Sequence, residues 1–148
     1  MKTISTTPID ISQAMQCVAD PSAGAIVQFL GTVRNTNQGK PVISLEYEAH
    51  ESLASSLIEE ILSTAISKFD LLRAHCIHRI GKLGIGETAV VVLTSSMHRR
   101  EAYGANEYIL NRVKHEVPIW KKEHYPDGSS VWSAQCSGCS SVEHHLEV

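Results

Sequence analysis

The sequence contains no long hydrophobic run. A transmembrane helix needs about 20 consecutive, mostly apolar residues, and no apolar stretch in the 148 residues approaches that length. The first residues, MKTIS, do not lead into the hydrophobic segment of a secretory signal. These two absences predict a protein without a membrane partner, and we expect it to be cytoplasmic.

Positive charge is not in excess either. The chain has 13 Lys and Arg against 16 Asp and Glu, which gives a formal net charge of -3 at pH 7 with His neutral. Proteins that bind nucleic acid without sequence preference usually carry a basic face. The charge balance therefore argues against a nucleic-acid partner, although it leaves room for a local cluster of cations.

No internal repeat and no linker divides the chain. A length of 148 residues and a hydrophobic fraction of 43% are typical of one globular domain with its own core. We predict a single domain over residues 1–135. The Ser-rich residues 136–148 are predicted to form a flexible C-terminal tail.

Cysteine is sparse, with four residues. Cys17 and Cys76 lie in apolar surroundings and are predicted to be reduced and buried. Cys136 and Cys139 form a CxxC pair that two histidines follow closely, so a zinc site or a redox pair is one interpretation. A single CxxC outside a βα unit is weak support for either, and we predict no metal site and no cofactor.

Hydrophobic periodicity predicts two long helices. Residues 51–69 carry apolar side chains at steps of three and four, and so does a segment that begins at Arg99 and stops near Glu116, shortly before Pro118. A shorter helix is predicted to start near Asp10.

The order of the predicted helices and strands predicts an α+β fold with a mainly antiparallel or mixed sheet and helices packed on it. Residues 24–31 are almost entirely apolar and are predicted to form a central strand buried on both faces. Residues 32–41 are predicted as a loop and residues 81–86 as a turn-rich link. The other predicted strands lie at residues 2–7, 42–50, 71–80, 88–94 and 131–132.

Cations collect at both ends of the predicted helix 99–116. His98, Arg99 and Arg100 lie where a strand leads into this helix, whereas Lys114 and Lys121 lie where the helix stops. Free N–H groups and the macrodipole attract anions to a helix N-terminus, which suggests a phosphate or carboxylate site at the first end. A solvated basic turn, and a favourable dipole contact for Lys114, would explain the same residues without a ligand.

Four motifs together resemble the large, catalytic subunit of molybdopterin synthase. They are FLGTVRN at residues 29–35, HRIGKLGIGE at 78–87, SSMHR at 95–99 and PIWKKE at 118–123. The similarity extends from about residue 24 to residue 132. It implies an α/β hammerhead-type fold and a homodimer that carries one small, ubiquitin-like sulfur-carrier subunit at each end, as a heterotetramer.

The resemblance also implies a sulfurtransferase reaction in molybdenum cofactor biosynthesis. The C-terminal Gly-Gly thiocarboxylate of the carrier enters a pocket of the large subunit and delivers two sulfurs to cyclic pyranopterin monophosphate. The product is the dithiolene of molybdopterin. The positions that match the family's site residues are Lys114 and Lys121 for its essential lysines, Arg34, His98 and Arg99 for its substrate-anion and pocket residues, and Phe29 for a pocket wall.

The residue types suit this chemistry. Arginine and histidine donate hydrogen bonds to a phosphate, and a lysine desolvated among other cations has a lowered pKa. Such a lysine can serve as an acid or base, or as an acceptor of the acyl group, and the sequence leaves both roles open. Thr32 and Glu116 stand where the family often has basic residues, which predicts a less positive pocket. The alternative is a non-catalytic anion-binding or scaffold protein on the same fold.

Overall fold

The computed structural model describes residues 2–134. The helices are α1 (Ile11–Gln16), α2 (Glu51–Phe69) and α3 (Arg99–Glu116). The strands are β1 (Ile4–Ser5), β2 (Ala25–Thr32), β3 (Thr36–Asn37), β4 (Lys40–Pro41), β5 (Ser44–Ala49), β6 (Arg73–Arg79), β7 (Gly81–Gly84), β8 (Thr88–Ser96), β9 (Ile119–His124) and β10 (Ser130–Ala134). The predicted tail with Cys136 and Cys139 lies outside the described residues.

Two four-stranded sheets confirm the α+β prediction. The first has the order β1-β6-β8-β2, in which β1 runs parallel to β6 and the other neighbours are antiparallel. The second has the order β10-β9-β5-β7 and is antiparallel throughout. The pairings are therefore mainly antiparallel, as predicted.

Strand β2 is not the central strand that its composition predicts. It lies at the edge of the first sheet and pairs only with β8 in the part of the chain that the structure describes. Phe29 packs against the main core, Leu30 packs against a smaller cluster that includes α1, and Ile26 is 40% exposed. The side chains of β2 are apolar because both faces of the strand are partly covered. One of its two hydrogen-bonding edges has no neighbouring strand among residues 2–134.

Two short pairings lie in segments predicted to be irregular. Inside the predicted loop, β3 and β4 form a hairpin whose turn residues Gln38 and Gly39 both have positive φ, 50° and 77°. Two such residues in a row are typical of a tight two-residue turn. In the predicted link, β7 pairs with β5 and sets Leu83 opposite Leu45, with both side chains buried.

The main core lies between the first sheet and helices α2 and α3. It is built from the apolar stripes that the periodicity predicts, including Ile58 and Ile61 of α2, Ile109 and Val113 of α3, and Val92 of β8. Each of these side chains is almost completely buried, and burying one such side chain stabilises the fold by about 1.5–3 kcal/mol. None of the helices in residues 2–134 is both long and apolar enough to cross a membrane.

Helix α3 ends where the proline predicts. Val117 is extended, with φ -81° and ψ 130°, because the ring of Pro118 disfavours helical backbone at the residue before it. The chain passes from α3 into β9 within two residues. This short passage keeps Lys114, in the last turn of α3, close to Lys121 on β9.

Candidate active site

Three cations meet where α3 ends. Burial lowers the pKa of Lys114 below its ordinary value, and the nearby positive charges of Lys121 and Arg34 lower it further. Lys114 is half-buried in the last turn of α3, Lys121 lies on β9, and Arg34 follows the end of β2. The structure therefore brings together three of the predicted site residues, and we call Arg34, Lys114 and Lys121 the lysine cluster.

A buried carboxylate lies beside Lys121. The Nζ atom of Lys121 is 3.5 Å from Oε1 of Glu123, and the two side chains are only 11% and 7% exposed. Asn37 donates from Nδ2 to the same oxygen at 2.5 Å, and the hydroxyl of Tyr125 donates to Oε2 at 3.0 Å. Glu123 is therefore held from three sides, by one cation and two neutral donors.

Two uncharged rings, those of His78 and Tyr47, lie next to the lysine cluster. His78 is 1% exposed and packs edge-on against the ring of Tyr47, with 4.9 Å between ring centroids. Burial, and to a lesser extent the charge of Lys114, lowers the pKa of His78 to about 4, while burial and the charge of Glu123 raise that of Tyr47 to about 12. Both rings are thus uncharged at neutral pH, and they offer little solvation to the lysine ammonium groups.

The ring of His78 is fixed by a hydrogen bond to the main chain. Its Nδ1 lies 2.8 Å from the main-chain oxygen of Arg79, so Nδ1 carries the proton and donates to that carbonyl. The nearby His75 is half-buried on the same strand. Residues 2–134 hold no group of three or more His, Cys, Asp or Glu side chains that could bind a metal ion.

His98 and Arg99 lie at the opposite end of α3 from the lysines. His98 is the exposed N-cap residue and Arg99 is the exposed first residue of the helix. Fifteen residues separate Arg99 from Lys114, and at a rise of about 1.5 Å per residue this distance is about 22 Å. Within one chain, the structure does not bring His98 and Arg99 to the lysine cluster.

Phe29 and Glu116 have partners of their own. The ring of Phe29 lies across Gly31, where an added Cβ would be 3.3 Å from its Cε1 atom. The side chain of Glu116 accepts two hydrogen bonds from the Arg112 guanidinium, at 2.7 and 3.2 Å. The negative charge of Glu116 is therefore already paired, on an exposed part of α3.

Sequence reasoning missed Glu123 and Asn37. Glu123 could have been predicted from the alternation of β9. Residues two apart in a strand share a face, and Lys121, two positions earlier, was already a candidate. No comparable signal existed for Asn37, which lies 86 positions from Glu123 along the chain and reaches it only through the β3–β4 hairpin.

Comparison with known sequences identifies the family. The chain matches the family model described as "MoaE protein" over residues 4–116. It is 46% identical to the molybdopterin synthase catalytic subunit of Bacillus subtilis over 125 residues, which cover 84% of this chain and 80% of that protein. It is 41% identical to the subunit of the same name from Dictyostelium discoideum over 139 residues, 92% of this chain and 88% of that one.

Solved structures agree with the sequence matches. Molybdopterin synthase from Staphylococcus aureus superposes with a TM-score of 0.85 at 38% identity, covering 89% of this chain and 96% of that one. A complex of subunits 1 and 2 of the molybdopterin-converting factor from Helicobacter pylori contains the same fold, with a TM-score of 0.71 at 20% identity and 88% coverage of both chains. The family match, the relatives and the shared fold lead to one conclusion: the chain belongs to the MoaE protein family.

Proposed function

We propose that this chain is the catalytic subunit of a molybdopterin synthase. It transfers two sulfurs from a thiocarboxylated small carrier subunit to cyclic pyranopterin monophosphate and so forms the dithiolene of molybdopterin. The observation that carries the proposal is the lysine cluster, in which Lys114 and Lys121 lie together in a chain whose relatives are named molybdopterin synthase catalytic subunits.

The cluster suits a reaction between two anions. The thiocarboxylate of the carrier and the phosphate of the substrate are both negative, and the three cations offset their mutual repulsion. Burial and neighbouring charges lower the pKa of Lys114, so a larger fraction of its amine is neutral at a given pH than in an exposed lysine. This suits Lys114 to the acid–base or acyl-acceptor step, and in this proposal Lys121 contributes a positive charge.

The substrate phosphate is assigned to His98 and Arg99 of a second copy of the chain. About 22 Å separates these residues from the lysine cluster of their own chain, so they serve one small substrate together with lysines only across a homodimer. Met97 and Tyr103, which flank them, are 61% and 64% exposed. A second copy that covered these two side chains would remove their apolar surface from water, which supports the assignment.

The sulfur arrives on a separate protein in this proposal. Cys76 is completely buried, which raises the pKa of its thiol to about 12 and disfavours the reactive thiolate. The Helicobacter pylori neighbour is a complex of two subunits, and we assign a small second subunit to this chain as well. Its extended Gly-Gly tail would reach Lys114 and Lys121, and two such subunits on a homodimer give a heterotetramer.

A reconstituted assay tests the proposal. Purified chain, thiocarboxylated carrier and cyclic pyranopterin monophosphate should together yield the dithiolene, detected by fluorescence of its oxidised derivative. A Cys136→Ser/Cys139→Ser variant should keep full activity, because the sulfur does not come from this chain. Binding of both ligands without turnover would show that the chain is a scaffold, and loss of activity in the folded cysteine variant would refute the carrier mechanism.

A further inference from the structure

The carboxylate of Glu123 is held in a fixed orientation by two donors from separate parts of the chain. Asn37 belongs to β3 of the hairpin, and Tyr125 directly follows β9. Their hydrogen bonds take up both carboxylate oxygens, one each. We call Asn37 and Tyr125 the carboxylate clamp.

The carboxylate clamp affects the contact between the carboxylate of Glu123 and the ammonium of Lys121. A free carboxylate would rotate to form a direct hydrogen bond with a neighbouring ammonium, at about 2.7–2.9 Å. Here Nζ of Lys121 lies 3.5 Å from Oε1 of Glu123, and the same oxygen accepts from the closer amide of Asn37. The ammonium is held in place by charge while its protons remain able to bind an incoming anion.

The hairpin connects the clamp to the rest of the lysine cluster. Arg34 precedes the hairpin, and the main-chain oxygen of Asn35 accepts from the N–H of Val42 at 2.8 Å, which closes its base. The ammonium of Lys40 lies over the ring of Tyr125, 5.9 Å from its centroid. One hairpin therefore contains one clamp residue, contacts the other and starts beside a cation of the lysine cluster.

We propose that Asn37 and Tyr125 are positioning residues for the sulfur-transfer reaction: they orient Glu123, and Glu123 fixes the Nζ atom of Lys121. This inference rests on the proposed function, because it takes Lys121 as part of the reacting site. Under this proposal, neither Asn37 nor Tyr125 touches the substrate. Their effect reaches the reaction only through the carboxylate.

Kinetics of two matched variants provide the first test. Asn37→Asp keeps the size of the side chain but replaces the donor with an acceptor, so it repels Glu123. Asn35→Asp adds the same charge to an exposed position two residues away and is the control. We expect Asn37→Asp to lower kcat by about tenfold or more with the KM for the carrier within about twofold, and Asn35→Asp to change neither. Equal kinetics for the two variants would overturn the proposal.

An exchange of partners separates positioning from folding. The double variant Asn37→Asp/Glu123→Gln restores the amide–carboxylate hydrogen bond with donor and acceptor reversed, but it moves the negative charge away from Lys121. We expect its Tm to recover relative to Asn37→Asp while its kcat stays low. Recovery of kcat together with Tm would mean that the network only stabilises the fold, and the proposal would be wrong.

A measurement without substrate distinguishes failure of this inference from failure of the proposed function. An amine-acetylating reagent, followed by peptide mass spectrometry, reports the reactivity of Lys121 relative to Lys122 in each variant. We expect Asn37→Ala/Tyr125→Phe to lower this ratio several-fold, because the released carboxylate of Glu123 turns to hydrogen-bond the Lys121 ammonium directly and shields it from the reagent. An unchanged ratio refutes the clamp. A lowered ratio in a protein without sulfur-transfer activity supports the clamp and refutes the proposed function.

Discussion

We expect each active site to combine the C-terminal end of α3 from one chain with the N-terminal end of α3 from a second chain. Two inactive variants, each altered at one of these ends, should then regain activity when they are mixed. The first variant is Lys114→Ala, which removes a lysine at the C-terminal end of α3. The second is Arg99→Ala, which removes a cation at the N-terminal end. Because about 22 Å separates these positions in one chain, one site that needs both residues must combine two chains.

The expected size of the effect follows from counting sites. In a 1:1 mixture with free exchange of chains, about half of the dimers contain one chain of each kind. Each mixed dimer has one site with Arg99 and Lys114 both intact and one site with both substituted. The mixture should therefore show about a quarter of wild-type activity, and mixed dimers purified through two different affinity tags should show about half.

The matched control combines two variants of the same end. Lys114→Ala mixed with Lys121→Ala should show no restoration, because both lysines belong to one copy's lysine cluster and every mixed dimer has one of them missing at each site. The assay is dithiolene formation with thiocarboxylated carrier, after co-expression of the two chains to ensure exchange. Restoration in the control would mean that the two lysines act in different sites.

One result would refute the reasoning about α3. If purified mixed dimers of Lys114→Ala and Arg99→Ala chains stay as inactive as each variant alone, His98 and Arg99 do not serve the lysines of a second copy. The phosphate assignment would then fail, although the lysine cluster itself would still stand.

Three further predictions concern individual groups. Lys114→Ala should lower kcat by about a hundredfold or more, whereas Lys122→Ala should stay within about twofold, because Lys122 lies over the Trp132 ring, 5.3 Å from its centroid, on the other face of β9. Arg34→Ala removes a positive charge that lowers the pKa of Lys114, so that pKa should rise and acetylation of Lys114 at a fixed alkaline pH should slow. The pKa of His78 is about 4 in the fold against an ordinary 6.5, so the unfolded state binds the proton first as pH falls; about 3 kcal/mol of stability should be lost between these values, and urea unfolding of His78→Gln should show a shallower pH dependence.

The long helices could be predicted from the sequence because their apolar stripes follow the helical repeat and physical end signals bound them. Both α2 and α3 have the predicted bounds, and Pro118 stops α3 where expected. The edge position of β2 could not be predicted in the same way. Side chains report whether the faces of a strand are covered, and they carry no information about which main-chain edges are paired.

The candidate site was partly accessible from the sequence. The family resemblance pointed to Lys114 and Lys121, and the length of the predicted helix was already enough to separate Arg99 from them. The link between Asn37 and Glu123 was not accessible, because it depends on a two-residue turn that places positions 86 apart in contact. The local sequence pattern predicts helices and strands one at a time. The carboxylate clamp depends on contacts between elements that are far apart in the chain.

The pairing of β5 with β9 has a consequence for how the protein folds. It joins residues 44–49 to residues 119–124, so the second sheet cannot be completed until nearly all of the described chain is available. Contacts of such long range slow folding, because a large loop must close before they form. During synthesis, which proceeds from the N-terminus, β5 can pair with β7 before β9 has been made. Lys121 and Glu123 lie on β9, so we expect the candidate site to be among the last parts of a new chain to take shape.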